Sequence, residues 1–219
     1  ISDCLVGSEM CIRDREKVEE SLSKVADEGV KTICSGRTDS GVHAAMQVIH
    51  FETSVTRLNK AWLAGCNSIL PRDISINWIK KVPVDFHSRF SATKRTYRYH
   101  IFNGNKQSVL NRDFSSLVRS PLDINLMQKA SIYLIGEKDY SSFRGSGCQS
   151  KSPNRNIFEI KLNRRQKIVS VEISANAFLL NMVRIIVGTL IEVGTGKIIH
   201  ESIKDILDSR DRTQSVKTV

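Results

Sequence analysis

The chain has 219 residues, and its 33 lysines and arginines exceed its 23 aspartates and glutamates by ten. This length suits one large domain or two small ones, and a hydrophobic content of 40% excludes a disordered chain. No apolar run approaches the roughly 18 residues of a membrane-spanning helix, so we expect no membrane protein. A formal charge of +10 predicts a polyanionic partner, most often nucleic acid, although a basic surface without a partner has the same composition.

The cysteines and histidines show no disulfide or metal pattern. The five cysteines are odd in number and none has C-x-x-C spacing, which indicates a reducing, cytoplasmic setting. His43 and His50 would face opposite sides of a predicted strand because their separation is odd. This spacing argues against a metal site, and no glycine-rich phosphate loop of the Walker or dinucleotide type is present in the sequence.

The elements of the first half follow from helical and alternating hydrophobic periodicity. Val18, Leu22 and Val25 recur at helical spacing, which predicts a helix over residues 16–28. In chain order we then predict a strand at 30–34, a loop at 35–41, a strand at 42–52, a helix at 57–68, and strands at 74–82 and 95–102.

The second half begins with a long polar connection, from Asn103 to Pro121, where we place the boundary between two halves. Asp123 is a typical N-cap and predicts a helix that runs to residue 135. A loop at 139–153, strands at 156–162 and 167–174, and helices at 177–193 and 201–208 follow in chain order. Because the strands come mostly in adjacent pairs, this order predicts an α+β fold with an antiparallel or mixed sheet flanked by helices, in two related halves.

The loop SGRTDSG, residues 35–41, holds a carboxylate and a guanidinium between two glycines. Asp39 is either a turn residue that hydrogen-bonds its own backbone or a reactive carboxylate that Arg37 keeps ionised. The flanking glycines would allow a substrate to approach closely. No second loop carboxylate is evident, which argues against the carboxylate pair of a glycosidase.

Two basic segments each have two interpretations. In RTYRYHIF, residues 95–102, the tyrosines either pack in a core or stack on a nucleobase while the arginines hold phosphates. Arg144, in the basic loop 139–153, suits either a flexible phosphate-contacting arm or any solvated loop.

Arg184 is a third candidate, because it lies in the apolar segment FLLNMVRIIVGTLIEVG. It either occupies a narrow solvated face with Asn181 and Gly188 or reaches an anion in a cleft. Asp39 is the natural candidate for that anion.

Four segments in this order resemble motifs of the TruA family of tRNA pseudouridine synthases. They are GRTDSGVHAAMQVIHFET, FHSRFSATKRTYRYHIFN, GEKDYSSFRGSGCQSKSPNRNI and NAFLLNMVRIIVGTLIEVG. The resemblance runs from about Glu16 to Thr213, and four long motifs in order are far more specific than one short pattern. It implies the pseudouridine synthase fold, in which two related α+β halves form a central cleft.

The resemblance also implies roles for single residues. The aspartate of GRTD is the family's catalytic residue, which assigns that role to Asp39. The arginine of the MVR segment pairs with the catalytic aspartate, and it corresponds to Arg184. The tyrosine before Arg-Tyr contacts the target base and corresponds to Tyr97. We expect Arg37 to line the same site and Arg144 to bind substrate.

The implied reaction converts uridine to pseudouridine on the 3′ side of the anticodon stem-loop of tRNA. It involves no net hydrolysis or redox change, so the resemblance implies no cofactor. The target base must leave its stack while the basic surface holds the tRNA. Family members act as homodimers. A non-catalytic RNA-binding protein with the same basic cleft and, more distantly, a carboxylate-dependent hydrolase remain alternatives.

The resemblance divides the chain into three parts. Residues 16–103 would form an N-terminal half with the catalytic loop, and residues 104–219 a C-terminal half without the family's final strand. Residues 1–15 match no family segment and resemble a translated sequencing adapter rather than protein-coding sequence. We therefore expect residues 1–15 to supply no strand and to pack poorly, and the chain to be marginally stable.

Overall fold

The computed structural model describes residues 9–36, 38, 41–216 and 218. The described helices are α1 Glu9–Ala26, α2 Asn59–Ile69, α3 Ile124–Ile132, α4 Met182–Gly194 and α5 Ser202–Ser209. The described strands are β1 Thr32–Cys34, β2 Ile49–Phe51, β3 Arg95–Asn103, β4 Ser116–Val118, β5 Gly136–Asp139, β6 Asn154–Arg165 and β7 Ile168–Ala175. Short 3₁₀ helices lie at Ser141–Phe143 and Arg212–Gln214. This mixture confirms the predicted α+β class.

The chain forms two compact units, Ile1–Thr93 and Lys94–Val219. The division comes ten residues before the start of the predicted boundary at Asn103 to Pro121. The reason is strand pairing: β3 pairs with β7 from Arg95 to Phe102 and therefore belongs to the second unit.

The first unit packs α1 and α2 over the antiparallel pair β1–β2. Its core consists of the buried residues Val18, Leu22, Ala26, Val30, Trp62, Cys66 and Ile74. The helix begins at Glu9 and not at residue 16, and Arg13 Nη1 lies 2.7 Å from Asp73 Oδ2. Asp14 is buried, so the expectation of poor packing is wrong at this residue, whereas Arg13 and Arg15 are exposed. Residues 1–8 lie outside the described residues.

Two strand predictions in the first unit are wrong in extent or in kind. The predicted strand at 42–52 contracts to Ile49–Phe51. The alternating segment 74–82 forms no strand, because the Asn67 side chain occupies the backbone groups of Ile76. Asn67 Oδ1 accepts from the Ile76 N–H at 2.8 Å, and Asn67 Nδ2 donates to the Ile76 carbonyl at 2.9 Å.

The second unit is built on a five-stranded sheet in the order β4-β3-β7-β6-β5. Only the β3–β4 pair is parallel among these strands. Alternate residues of β7 (Val169, Val171, Ile173) are buried in one core with α3, α4 and α5. The edge strand β4 lies in the predicted polar connection, and β5 lies directly after the predicted helix. The sequence did not predict either strand, because three or four residues are too few to show a period.

The helix predictions in the second unit differ mainly at their ends. Asp123 is the N-cap of α3, as predicted: its carboxylate accepts from the N–H groups of Asn125 at 2.8 Å and Leu126 at 3.1 Å. The helix predicted from residue 177 begins at Met182, because Asn181 has a positive φ of 57° that ends the preceding turn. None of the described helices is long and apolar enough to cross a bilayer.

Candidate active site

The predicted catalytic loop connects β1 to β2 in the first unit. Asp39 and Arg37 lie outside the described residues, so their positions stay predictions. The loop is closed at its base by Gln47, whose Nε2 donates to the Gly36 carbonyl at 2.8 Å. The Ser35 hydroxyl donates to Gln47 Oε1 at 2.6 Å, and the Ser35 N–H donates to the Val48 carbonyl at 2.8 Å. These bonds fix the backbone that leads into residues 37–40.

A buried serine joins the second sequence motif to β1 and β2. The Ser88 hydroxyl donates to the Ile33 carbonyl at 2.9 Å, and the Ser88 N–H donates to His50 Nδ1 at 3.2 Å. Burial lowers the pKa of His50, and neighbouring His87 lowers it further because two imidazolium charges would repel. The neutral ring can therefore keep Nδ1 as an acceptor, which supports the strands on both sides of the loop.

Tyr97 lies on β3 in the second unit, where its ring meets Phe178 edge-on with centroids 5.0 Å apart. It pairs in register with buried Ile173 of β7. Arg98 points to the opposite face, as strand alternation predicts, and its Nη2 lies 2.6 Å from Glu172 Oε2. Tyr97 is half-buried, which leaves part of its ring accessible.

The chain from Asn176 to Asn181, here called the α4 turn, leads from β7 into α4. Asn176 fixes its start: Oδ1 accepts from the N–H groups of Asn156 at 3.0 Å and Ala177 at 2.8 Å. Arg95 Nη1 donates to the Asn176 carbonyl at 3.0 Å. The α4 turn is thereby tied to β3 and β6.

Arg184 stands in the first turn of α4. Its neighbours Met182 and Ile185 are buried, while Arg184 itself is half-buried. The solvated stripe that we considered is not formed, because Asn181 precedes the helix and Gly188 is buried.

The loop with Arg144 packs against the other side of the α4 turn. The Gly145 N–H donates to the Leu180 carbonyl at 2.8 Å, and the Leu180 N–H donates to Cys148 Sγ at 3.4 Å. Arg144 Nη2 donates to the carbonyls of Cys148 and Ser150, both at 2.7 Å. Arg144 therefore stabilises its own loop, which is more ordered than a flexible arm.

The groups around the Cys148 thiol change its pKa in opposite directions. Burial raises its pKa, but backbone N–H groups of Leu180 and Ser150 and the nearby Arg144 cation outweigh this and lower the pKa on balance. This side of the α4 turn is therefore suited to negative charge. Among the described residues, no three His, Cys, Asp or Glu side chains gather as a metal site.

Three predicted site residues thus belong to elements that meet at the α4 turn. Tyr97 contacts Phe178 of the turn, and the loop with Arg144 is hydrogen-bonded to Leu180 of the turn. Arg184 lies in the helix that follows the turn. Sequence reasoning missed Phe178, which it placed in a helix, and the role of Gln47. Gln47 stands between the apolar residues Met46 and Val48, which is the signal that points to a partly buried polar contact.

The chain is similar to known proteins over most of its length. The sequence profile of the tRNA pseudouridine synthase family matches residues 12–91 and 130–219. A protein of Shewanella woodyi named tRNA pseudouridine synthase A is 48% identical over 202 residues, covering 92% of this chain and 77% of the relative. Proteins of the same name from Hydrogenovibrio crunogenus and Klebsiella pneumoniae are each 46% identical, covering 95% and 93% of this chain and 79% and 76% of their own lengths.

Proposed function

Because the chain belongs to the tRNA pseudouridine synthase family, we propose that it isomerises uridine to pseudouridine in tRNA, on the 3′ side of the anticodon stem-loop. One structural observation carries the proposal: elements bearing Tyr97, Arg144 and Arg184 meet at the α4 turn. The family match includes this turn and the loop that carries Asp39.

Asp39 is the proposed catalytic carboxylate. In the reaction the glycosidic carbon–nitrogen bond breaks, the uracil turns, and a carbon–carbon bond forms to the same sugar. A proton leaves the ring carbon and the released nitrogen takes one up, so atoms and electrons balance without a cofactor. A carboxylate on a loop fixed at its base can act on the sugar or the ring at short range.

Arg184 is the proposed partner that keeps Asp39 ionised. An arginine in the first turn of an apolar helix is suited to bind an anion, because its guanidinium offers a fixed planar set of donors. A neighbouring cation lowers the pKa of a carboxyl group and so preserves its charge at neutral pH.

Tyr97 is the proposed contact for the flipped uracil. The edge-on contact with Phe178 holds the tyrosine ring, and its half-buried face is suited to stacking on a base. Arg37 and Arg144 are the proposed substrate-binding cations, and Arg144 is already oriented by two carbonyls of its loop. We further propose tRNA as the partner, a homodimer as the assembly and the cytoplasm as the location.

The proposal is tested by incubating the chain with unmodified tRNA transcripts and mapping pseudouridine by carbodiimide modification. We expect new carbodiimide stops on the 3′ side of the anticodon stem-loop. Stops elsewhere would contradict the proposed position, and tRNA that is bound but unchanged would favour the non-catalytic RNA-binding protein.

A further inference from the structure

The turn between β6 and β7 carries a dense group of positive charges far from the α4 turn. Arg164, Arg165 and Lys167 fall within four residues, and all three are exposed. We call these three residues the hairpin end. Residue Gln166 between them has a φ of 54°, which closes the tight connection between the two strands.

The charges of the hairpin end are not neutralised within the described part of the chain. No described Asp or Glu lies within salt-bridge distance of any of the three cations. Two other cations on the same sheet are paired with carboxylates: Arg98 with Glu172 at 2.6 Å, and Lys161 with Glu159 at 2.8 Å. The hairpin end therefore differs from the part of the sheet around Arg98 and Lys161, where each cation has a carboxylate partner.

The hairpin end is held in place by neutral groups. Arg164 Nη2 donates to Asn103 Oδ1 at 2.9 Å and to the Leu122 carbonyl at 3.0 Å. The Asn103 N–H donates to the Lys167 carbonyl at 2.7 Å. The adjacent carboxylate of Asp123 is turned into the first turn of α3, where backbone N–H groups hold it. The Arg164 side chain and the Lys167 backbone are thus held in position, and no described carboxylate neutralises the charge of the hairpin end.

The sheet sets the distance between the hairpin end and the proposed base contact. Tyr97 lies opposite Ile173, and Lys167 precedes Ile173 by six residues along the same chain. At about 3.3 Å per residue, the two places are about 20 Å apart on one rigid sheet.

We propose that the hairpin end is a second RNA-binding surface, which holds backbone phosphates of the tRNA about 20 Å from the base that Tyr97 contacts. Guanidinium groups bind phosphate through paired hydrogen bonds, and such contacts position an RNA without reading its sequence. The identity of the RNA rests on the proposed function, whereas the phosphate contact rests on the hairpin end itself.

The test is the salt dependence of tRNA binding, measured by fluorescence anisotropy between about 50 and about 200 mM salt. The variant Arg165→Gln with Lys167→Gln removes two exposed charges and leaves Arg164, which has structural contacts, in place. We expect the slope of log Kd against log salt to fall by about one to two, because each phosphate contact contributes about 0.7 to 0.9.

The matched control is Arg98→Gln with Lys161→Gln, which removes the same number of charges from the paired part of the sheet. We expect its slope to change by less than that of the hairpin variant. The proposal would be overturned if the hairpin variant had the same salt slope as the wild type. It would also be overturned if the slope fell equally in the hairpin variant and in the control. Loss of binding to phosphatidylserine vesicles with unchanged tRNA binding would likewise overturn it in favour of a membrane surface.

The outcome is separable from that of the proposed function. A wild-type chain that forms pseudouridine while the hairpin variant keeps its salt slope contradicts only the second RNA surface. A wild-type chain that forms no pseudouridine, with a slope that falls in the hairpin variant, contradicts only the proposed reaction. If both hold, the hairpin variant should raise KM for tRNA and leave kcat unchanged.

Discussion

Gln47 joins both sides of the stem of the proposed catalytic loop, with one hydrogen bond to Ser35 and one to Gly36. Without the amide, the backbone that leads to Asp39 loses its fixed position. We expect Gln47→Ala to lower kcat for pseudouridine formation by about 10- to 100-fold, the range that a small misplacement of a reactive group produces. Steady-state kinetics measure this, with Gln128→Ala on the exposed face of α3 as the control.

A purely structural role for Gln47 would give a different pattern. It would lower the free energy of urea unfolding and leave kcat of the folded fraction unchanged. We expect instead that kcat falls more than KM rises, because the proposed effect is on the reacting group and not on RNA affinity.

The pH dependence of stability follows from His50. Because burial and His87 lower its pKa in the folded state, the unfolded chain takes up a proton first as the pH falls. The stability that neutral His50 contributes is fully present above the pKa of His50 in the unfolded chain. It is lost as the pH falls through the pKa of His50 in the folded state. We therefore expect the free energy of unfolding to decrease from about pH 7.5 to about pH 5.5.

The comparison variant is His50→Asn, whose amide oxygen can accept from the Ser88 N–H in place of Nδ1. Urea unfolding at each pH should show a shallower decrease in the free energy of unfolding for this variant than for the wild type. Parallel curves for wild type and His50→Asn would show that His50 is not the titrating group.

Single residues were predictable where their role depends on near neighbours in sequence. The N-cap role of Asp123 and the opposition of Tyr97 and Arg98 follow from local geometry alone. The partners of Gln47 lie eleven and twelve residues away, across a loop, so no local pattern contains them.

Among the elements, the α4 turn decides where Arg184 stands. It packs against the Arg144 loop so closely that a Cβ on Gly145 would lie 2.8 Å from the Leu180 carbonyl oxygen. We expect Gly145→Ala to push the loop and the α4 turn apart, with a loss of stability of about 1–3 kcal/mol and lower activity. Gly29→Ala is the matched control, because no atom lies within 4 Å of its added Cβ.

Thermal unfolding and pseudouridine formation should therefore both fall in Gly145→Ala and stay near wild-type values in Gly29→Ala. Full activity of Gly145→Ala would show that the position of Arg184 does not depend on the Arg144 loop.

Long elements were predictable because they repeat a period several times, as β3, β6, β7 and α4 do. The short edge strands β4 and β5 were not, since pairing with a neighbour defines them rather than their own sequence. The segment 74–82 alternates like a strand but does not form one. The Asn67 side chain is hydrogen-bonded to the N–H and carbonyl of Ile76, which would otherwise be free to pair with a neighbouring strand.

For the whole molecule, the family match covers residues of both compact units. The sequence predicted the fold class, whereas the roles of the site residues stay predictions and Asp39 and Arg37 lie outside the described residues. We expect Arg184→Lys to lower activity strongly, because a single ammonium cannot reproduce the planar donors of a guanidinium. Single-turnover rates with saturating tRNA measure this, and a rate near that of the wild type would contradict the proposed Arg184 contact.

The most direct test of the proposed chemistry is Asp39→Asn, which keeps the size of the side chain and removes its charge. The measurement is pseudouridine formed in a single turnover by carbodiimide mapping, with tRNA affinity measured on the same samples. Our account predicts that Asp39→Asn binds tRNA like the wild type and forms no detectable product. Product formation at a rate near that of the wild type would contradict the assignment of Asp39 as the catalytic carboxylate.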